Sequence, residues 1–309
     1  MAAPSSFPPM STLNPAVHRR RRIDVAPYLF VAPSIVLILI VFVYPIGSII
    51  VQSLLSPTAS RGTSVGLANY GFVIDDPVFW KSAGNDLFLL TGVPIMTIMA
   101  LLFAAVLFDR IRGWRVYRTL VFTPYILAVP VIGTTFVYLY GFNGIVNTLL
   151  RQTGAGGLAQ DWLGSPTLVM PAILSVIVFR EVGFGVMLFL ARMASIREEL
   201  YEAAVLDGAG WWGRFRYVTI PQLRTVISFF IVIEVITMLS WVFAYVYSMT
   251  GGGPGFASSV LELYIWKNAF AYRAIGIASA VAVLLLVAVA VLIVVQLMVR
   301  GGESDTGEE

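Results

Sequence analysis

Three ionisable residues inside long apolar stretches are the first candidates for chemistry in this sequence. Arg180 and Glu181 are neighbours in one stretch, and Glu234 lies in another. Where such a stretch crosses a membrane, charged side chains are costly and normally face a bundle interior or a water-filled cavity. Glu181 and Glu234 therefore predict a polar translocation path. The alternative is a structural ion pair, Arg180 with Glu234 for example, that joins two helices.

A second group of candidates consists of aromatic and amide side chains. Trp241 and Tyr245 lie towards the end of the stretch that contains Glu234, and Asn143 follows a different apolar stretch. Aromatic faces suit the C–H faces of a sugar ring, and amides suit its hydroxyl groups. These three residues are predicted to contact such a ligand. Helix packing and the aromatic belt of a membrane protein are the alternative explanation.

The sequence lacks the residues for several other kinds of chemistry. Cysteine is absent and the single histidine, His18, lies near the N-terminus, so thiolate and histidine metal sites are not expected. Neither Lys81 nor Lys267 belongs to a G-x-x-x-x-G-K-[ST] phosphate-binding loop. The apolar stretches contain no convincing catalytic cluster of His, Asp or Glu. We expect a chain that is not an enzyme and that binds neither a metal nor a cofactor itself.

Composition places these candidates in a membrane protein. Of 309 residues, 58% are hydrophobic and only 12% are charged, with a mean hydropathy of +0.86. Soluble domains carry about 25% charged residues, so a water-soluble surface is not available to this chain. A bilayer is spanned by about 20 apolar residues of helix, and six stretches are long enough. They are Pro27–Leu55, Asp86–Phe108, Val116–Phe142, Pro166–Met193, Val226–Met249 and Ile275–Val299.

The expected fold is an all-α integral membrane protein with about six transmembrane helices, in the plasma membrane. Cytoplasmic segments of such proteins carry an excess of arginine and lysine. The segments that flank the apolar stretches alternate between the two sides of the membrane. Those on one side hold most of the arginines, and those on the other side hold only Arg61, Lys81, Arg151, Lys267 and Arg273. Both termini are therefore predicted to be cytoplasmic. Residues 1–26 are predicted to be a disordered basic tail, 27–300 the transmembrane domain and 301–309 an acidic tail. The net charge of +3 indicates contact with anionic lipid and no nucleic acid.

The segment 195–221, between the fourth and fifth stretches, is too polar to cross a membrane. Glu198–Leu206 is predicted to be a helix that Asp207-Gly208 ends, because glycine readily adopts the left-handed conformation found there. A second short helix is predicted over Trp211–Val218. Trp211, Trp212 and Phe215 then share one side of it, flanked by arginines. Such a surface anchors protein interfaces, or it lies in the lipid headgroups; the residue types fit both.

The same segment resembles the EAA loop of ABC-importer permeases, whose pattern is E-A-A-x-x-D-G-A followed by hydrophobic residues and a proline. The matching residues are Glu202, Ala203, Ala204, Asp207, Gly208, Ala209 and Pro221. In that family the loop docks into a cleft of the ATPase subunit. The resemblance implies that Trp211, Trp212 and Phe215 belong to this coupling surface. It further implies that the small alanines permit close approach, that Gly208 makes the turn and that Glu202 contacts the ATPase.

Further segments resemble the carbohydrate-uptake branch of the family. They are Tyr28–Ser53, Gly66–Tyr70, Phe79-Trp80, Asn143–Asn147 and the T-x-G-G-P-G-like turn Thr250–Gly255. Phe179 departs from the pattern, since relatives often carry tryptophan there. The resemblance implies the type I importer architecture and a sugar cargo. The expected partners are a second, homologous permease subunit in a heterodimer, two ATPase subunits that carry ATP and Mg²⁺, and an extracytoplasmic solute-binding protein.

Other classes of protein compete with this interpretation. A secondary transporter driven by an ion gradient is disfavoured by the EAA-type loop and by the lack of any sign of paired broken helices. A membrane enzyme would need the catalytic cluster that the stretches lack. An ABC permease for a glycerophosphodiester, an amino acid or a polyamine is the alternative within the family.

Overall fold

In the computed structural model, which describes residues 26–56 and 63–304, the chain is helical and has no strand within those ranges. The predicted tail 1–26 lies outside the described residues, except for Ala26, and so do residues 305–309. The helices of the first half are α1 (Ala26–Ile38), α2 (Tyr44–Ser53), α3 (Ala68–Asp75), α4 (Pro77–Leu89), α5 (Gly92–Phe108), α6 (Trp114–Ile126), α7 (Val129–Tyr140) and α8 (Ile145–Gln152).

The second half contains the longest helices. They and the short helices between them are α9 (Val169–Met193), α10 (Glu198–Leu206), α11 (Trp211–Arg214), α12 (Ile220–Ser240), α13 (Phe243–Met249), α14 (Leu261–Trp266) and α15 (Ile275–Ser304). Helix α15 continues through Ser304, so the predicted tail at 301–309 begins as helix, and the predicted domain bounds stay predictions.

Six helical segments within the described ranges are long and apolar enough to cross a membrane, which confirms the predicted number. They are Phe30–Ser53, Pro77–Phe108, Val129–Gln152, Val169–Met193, Trp211–Ser240 and Ile275–Gln296. The third segment differs from the predicted stretch, because it consists of α7 and α8. The residues of the predicted stretch 116–142 lie mainly in α6 and α7.

Two of the predicted stretches are broken, one near its middle and one towards its end. Between α6 and α7, Leu127 and Ala128 adopt extended backbone with ψ angles of 143° and 137°. Pro124 and Pro130 flank this break, and proline removes a backbone donor from a helix. Between α12 and α13, Trp241 leaves the helical conformation with φ −137°. No proline or glycine lies at the second break, so it has no local signal in the sequence.

The chain divides into two units, which end and begin at Gly47 and Ser48. In the first unit, the apolar side chains from Phe30 to Ile46 are exposed. In the second unit, α9 is the central helix and packs against α5, α6 and α12. Its residues Ile173, Ile177 and Phe189 are fully buried. A helix that is apolar on every side needs such neighbours around its whole circumference.

The close packing of α9 against α6 depends on Gly183. A Cβ atom added there would lie 2.5 Å from the carbonyl oxygen of Val121 and 3.3 Å from Cα of Phe122. Both contacts are with backbone, which has no side-chain rotamer that relieves them. Gly84 of α4 offers a comparison, since a Cβ added there would meet nothing within 4 Å.

Gly183→Ala is expected to lower the stability of the purified chain by about 1–3 kcal/mol, the usual cost of overpacking. Gly84→Ala is expected to be neutral or to stabilise α4 by up to about 1 kcal/mol, because alanine is the better helix former. Heating the detergent-purified variants and measuring the monodisperse fraction by size-exclusion chromatography tests this. Equal melting temperatures for the two variants would contradict the close packing of α6 on α9.

Candidate functional site

Arg180 pairs with its neighbour in the chain and not with Glu234. Its Nη1 forms a salt bridge with Oε1 of Glu181, while the side chains are 17% and 5% exposed. The predicted Arg180–Glu234 pair is therefore wrong as an ion pair in this conformation. Two adjacent residues of a helix normally diverge, but both side chains here turn towards the same buried region. The pair brings a charge and its counter-charge into the middle of α9.

Arg180 also satisfies the break between α6 and α7. Its Nε donates to the carbonyl oxygen of Leu127 at 3.3 Å, an oxygen freed where α6 ends. The guanidinium lies 5.0 Å above the ring centre of Tyr125, which itself stacks on Phe184. A cation in this position supplies the hydrogen bond that the broken helix lost.

Glu181 connects the arginine to the other broken span. The hydroxyl of Tyr245, in α13, donates to Glu181 Oε1 at 3.0 Å. Glu234 of α12 is fully buried, and neither of its carboxyl oxygens has a hydrogen-bond partner among the described residues. We call Arg180, Glu181, Glu234 and Tyr245 the polar cluster. Three of the predicted substrate-path residues, Glu181, Glu234 and Tyr245, thus lie together in it, and all three are buried.

The other two predicted substrate-path residues lie on the surface. Trp241 is 71% exposed at the break between α12 and α13. Asn143 lies exposed in the turn before α8, where its Oδ1 lies 3.5 Å from Nη1 of Arg151. Within the described residues, neither Trp241 nor Asn143 forms a hydrogen bond to the polar cluster. Their role as substrate contacts stays a prediction.

A carboxylate from a neighbouring helix caps the second break. The backbone N–H of Phe243, at the start of α13, donates to Oε2 of Glu262 in α14. The start of α14 is capped in turn, because the N–H of Leu261 donates to Oδ2 of Asp86 at 3.1 Å. Acidic side chains stabilise the positive end of a helix. The sequence analysis missed Glu262. Its position in the first turn of a helix, shortly after a transmembrane stretch, is the signal that could have identified it.

The first part of the 195–221 loop has the predicted form, whereas the predicted short helix Trp211–Val218 is α11 followed by a π-type turn that leads directly into α12. Helix α10 covers Glu198–Leu206 as expected, and Gly208 follows it with φ +82°. The N–H of Ala209 bonds to the carbonyl of Ala204 at 2.9 Å, which closes the end of the helix. Glu202, Ala203, Asp207 and Gly208 are exposed, and Ala204 and Ala209 are half-buried. The positive φ at Gly208 explains the glycine physically, since other residues are strained there.

The aromatic residues of the loop stack on one another but do not all project outwards. Trp211 and Phe215 are 5.5 Å apart with ring planes 12° from parallel, and Trp212 packs beside them. Trp211 and Trp212 are exposed, whereas Phe215 is buried in the core. The prediction that Phe215 belongs to an exposed group is therefore wrong: the chain widens into a π-type turn from Phe215, which directs this ring inwards.

Two further features of this region were not visible in the sequence. Nε1 of Trp211 donates to Oδ2 of Asp109, which ties the loop to the end of α5. Leu206, the last residue of α10, is 89% exposed, and its neighbour Val205 is 53% exposed. These two exposed apolar side chains lie beside the small residues of the loop. A cavity of about 530 Å³ lies between the loop and the end of α5.

Comparison with known proteins identifies the class to which this fold and loop belong. Residues 87–300 match the family described as the inner membrane component of binding-protein-dependent transport systems. The probable ABC transporter permease protein YurN of Bacillus subtilis (strain 168) is 36% identical over 264 residues, 84% of this chain and 90% of YurN. The lactose transport system permease protein LacF of Rhizobium radiobacter is 35% identical over 257 residues, 82% of this chain and 86% of LacF.

The fold also matches that of a solved structure. A bacterial ABC transporter involved in the import of the acidic polysaccharide alginate has a chain that matches with a TM-score of 0.78 at 22% identity, covering 93% of this chain and 97% of that one. The protein is a multi-pass membrane transport subunit. It belongs to the family of binding-protein-dependent inner membrane components, and is thus an ABC-importer permease that works with a solute-binding protein.

Breaks in the spans alone do not distinguish an ABC importer from an ion-coupled transporter. The sequence argument against the latter concerned paired broken helices, such as inverted repeats would contain. The structure has two breaks, at Leu127–Ala128 and at Trp241–Val242. Broken spans therefore do not separate the two classes of transporter here, and the assignment to the ABC importers rests on the loop and the family match.

Arg180→Leu is expected to destabilise the chain by on the order of 3 kcal/mol, because it leaves Glu181 buried without its cation. The double variant Arg180→Leu/Glu181→Leu is expected to recover part of that loss. Melting temperatures of the purified chain measure both effects. A double variant no more stable than Arg180→Leu alone would show that the two side chains do not act as a pair.

Glu262 predicts a pH effect outside the spans. Burial raises the pKa of its carboxyl from the ordinary 4.5 to about 7, while the backbone N–H groups of Phe243 and Val242 lower it. The folded chain then holds this proton where the unfolded chain releases it. The stability contributed by the group is complete below about pH 4.5 and is lost as the pH rises towards 7.

Glu262→Gln keeps the acceptor and removes the titration, so its melting temperature is expected to gain on the wild type between pH 5 and pH 8. Glu199→Gln, an exposed position in α10, is the matched control and is expected to track the wild type. If the melting temperatures of Glu262→Gln and wild type change in parallel over this range, titration of the Glu262 carboxyl does not affect stability as expected.

Proposed function

We propose that this chain is one of two homologous permease subunits of an ATP-driven importer for a sugar or sugar-derived solute. Two ATPase subunits bind at the 195–221 loop and supply ATP and Mg²⁺, while this chain does no covalent chemistry. The solute-binding protein delivers cargo at the opposite end of the bundle. Both termini are cytoplasmic, on the arginine distribution, and the membrane is the plasma membrane.

The exposed α10–Gly208–α11 loop is the observation that carries the ATP-driven part of this proposal. It has the EAA pattern, its small residues Ala203 and Gly208 are exposed, and Leu206 offers an apolar anchor beside them. Interfaces are usually held by a few such anchors surrounded by weaker contacts. ATP binding closes the ATPase subunits and displaces the loop, which moves α9 and α12. The translocation cavity then changes from inward-facing to outward-facing, and ATP hydrolysis restores the inward-facing state.

The sugar cargo is supported by the relatives and by the chemistry of the polar cluster. LacF is named for lactose, and the matched alginate importer for an acidic polysaccharide. The alternative is a cargo such as a glycerophosphodiester, whose phosphate would need an unpaired cation. Arg180, the cation in the middle of α9, is already paired with Glu181 and bonded to Leu127. A neutral, hydroxyl-rich solute suits a site whose cation is already neutralised by a neighbouring carboxylate.

The test of cargo uses the chain with the subunits that co-purify after gentle solubilisation. Proteoliposomes of the complex, with its binding protein, are given radiolabelled lactose, maltose or sn-glycerol-3-phosphate and ATP. ATP-dependent uptake of a saccharide is the expected result. Uptake of sn-glycerol-3-phosphate alone would favour the alternative cargo, and a complex without an ATPase subunit would contradict the proposal.

Leu206→Asp is expected to weaken ATPase binding at least about tenfold, because it places a charge at the apolar anchor. Leu158→Asp is the matched control, since Leu158 is 64% exposed but lies in the connection between α8 and α9, at the opposite end. Pull-down of the ATPase subunit at increasing salt measures the difference. Equal retention of the ATPase by both variants would remove Leu206 from the coupling surface.

A further inference from the structure

Four aromatic rings form a continuous row along α7 and α9. Phe179 of α9 lies with its ring centre 5.5 Å from that of Phe136 in α7, which is 5.4 Å from Tyr140. Tyr140 is 6.3 Å from Trp162, in the connection between α8 and α9. We call Phe179, Phe136, Tyr140 and Trp162 the aromatic track. It leads from the neighbour of Arg180 to the end of the bundle that the arginine distribution places outside.

The track is open along one side. Phe179 is 51% exposed, and the other three rings are half-buried. A cavity of about 300 Å³ lies at its outer end, between Tyr140, Trp162 and the exposed Ser175. This volume is at the lower end of the roughly 300–1,000 Å³ found for ligand pockets. The outer end of the track is thus a preformed recess of the size of a small ligand.

The outermost ring is held by a buried amide. Nε1 of Trp162 donates to Oδ1 of Asn147 at 2.9 Å, and Asn147 is fully buried. Nδ2 of the same amide bonds to the carbonyls of Phe142 and Gln160, so its orientation is fixed. A ring held in this way binds a ligand without first losing rotational freedom.

The inner end of the track shows that this side of the bundle does not face lipid hydrocarbon. Arg180 follows Phe179 directly, and its side chain keeps 17% exposure in the middle of α9. A charged group on a lipid-facing surface at that depth is costly and rare. Hydroxyl groups also lie along the same side, where the Tyr140 hydroxyl is 2.7 Å from Oγ of Ser175. Water or another polar surface therefore adjoins the track.

We propose that the aromatic track is a binding path for a saccharide, along which the cargo passes from the recess at Trp162 to the polar cluster. This inference rests on the proposed function, and it assigns residues to the outer half of the pathway. Each ring offers an apolar face to the C–H groups of a sugar. The Tyr140–Ser175 pair can both donate to and accept from sugar hydroxyls. Neighbouring weak sites allow a ligand to advance without being held at any one of them.

The test compares aromatic with aliphatic replacements in the assembled importer, with its ATPase subunits and binding protein. Trp162→Leu and Phe136→Leu remove a ring face, whereas Trp162→Phe and Phe136→Tyr keep one. Tyr138→Leu is the matched control, because Tyr138 lies on α7, is 80% exposed and is not part of the track. The probe is radiolabelled lactose or maltose, whichever the wild type imports. Uptake per ATP hydrolysed is measured with saturating binding protein.

The leucine variants of Trp162 and Phe136 are expected to lower uptake per ATP about three- to tenfold, as loss of one stacking contact implies. The aromatic variants and Tyr138→Leu are expected to stay within about twofold of wild type on the same scale. Equal uptake by leucine and aromatic variants would overturn the track. So would loss of the second permease subunit from the leucine variants, since the side would then be a subunit interface. If the wild type imports neither sugar, the proposed cargo fails as well.

Discussion

The pairing of Arg180 with Glu181, and of Arg180 with the carbonyl of Leu127, is the interaction on which the middle of the bundle depends. In an apolar medium each unpaired backbone group or charge is costly, so a broken span persists only where side chains replace its lost hydrogen bonds. Arg180 does this for the break after α6, and Glu262 does it for the break before α13. The two breaks and the charges stabilise one another, and either alone would be unfavourable.

One helix, α9, carries part of the polar cluster and leads directly into the 195–221 loop. Helix α9 carries Arg180 and Glu181 near its middle and ends at Met193, just before α10. Helix α12 leaves the loop and carries Glu234 back into the cluster. The 195–221 loop therefore joins the two helices that carry Arg180, Glu181 and Glu234. At the breaks, Leu127 and Ala128 are extended, and Trp241 also departs from helical backbone angles.

How far the sequence predicted the site depended on whether the signal was local. Helix α10 was predicted with its observed bounds, because its acidic start and the glycine after it are local signals. The break after α6 was signalled by prolines. The break at Trp241 was missed, since the acceptor that stabilises it, Glu262, lies 19 positions further on from Phe243. Phe215 was placed outside for a similar reason, because helical spacing alone does not reveal a turn that widens.

The sequence by itself determined that this is a membrane protein with about six helical spans and that the 195–221 loop has the EAA pattern. Both follow from composition and short motifs, which tertiary packing does not alter. Only the tertiary structure decided which charges pair, which rings form a row and which side of α9 is open. Arg180 had two acidic candidates, Glu181 and Glu234, and their distances in the chain could not rank them. The choice depends on how α9, α12 and α13 pack, because a buried charge pairs with the group that the fold brings within hydrogen-bonding distance.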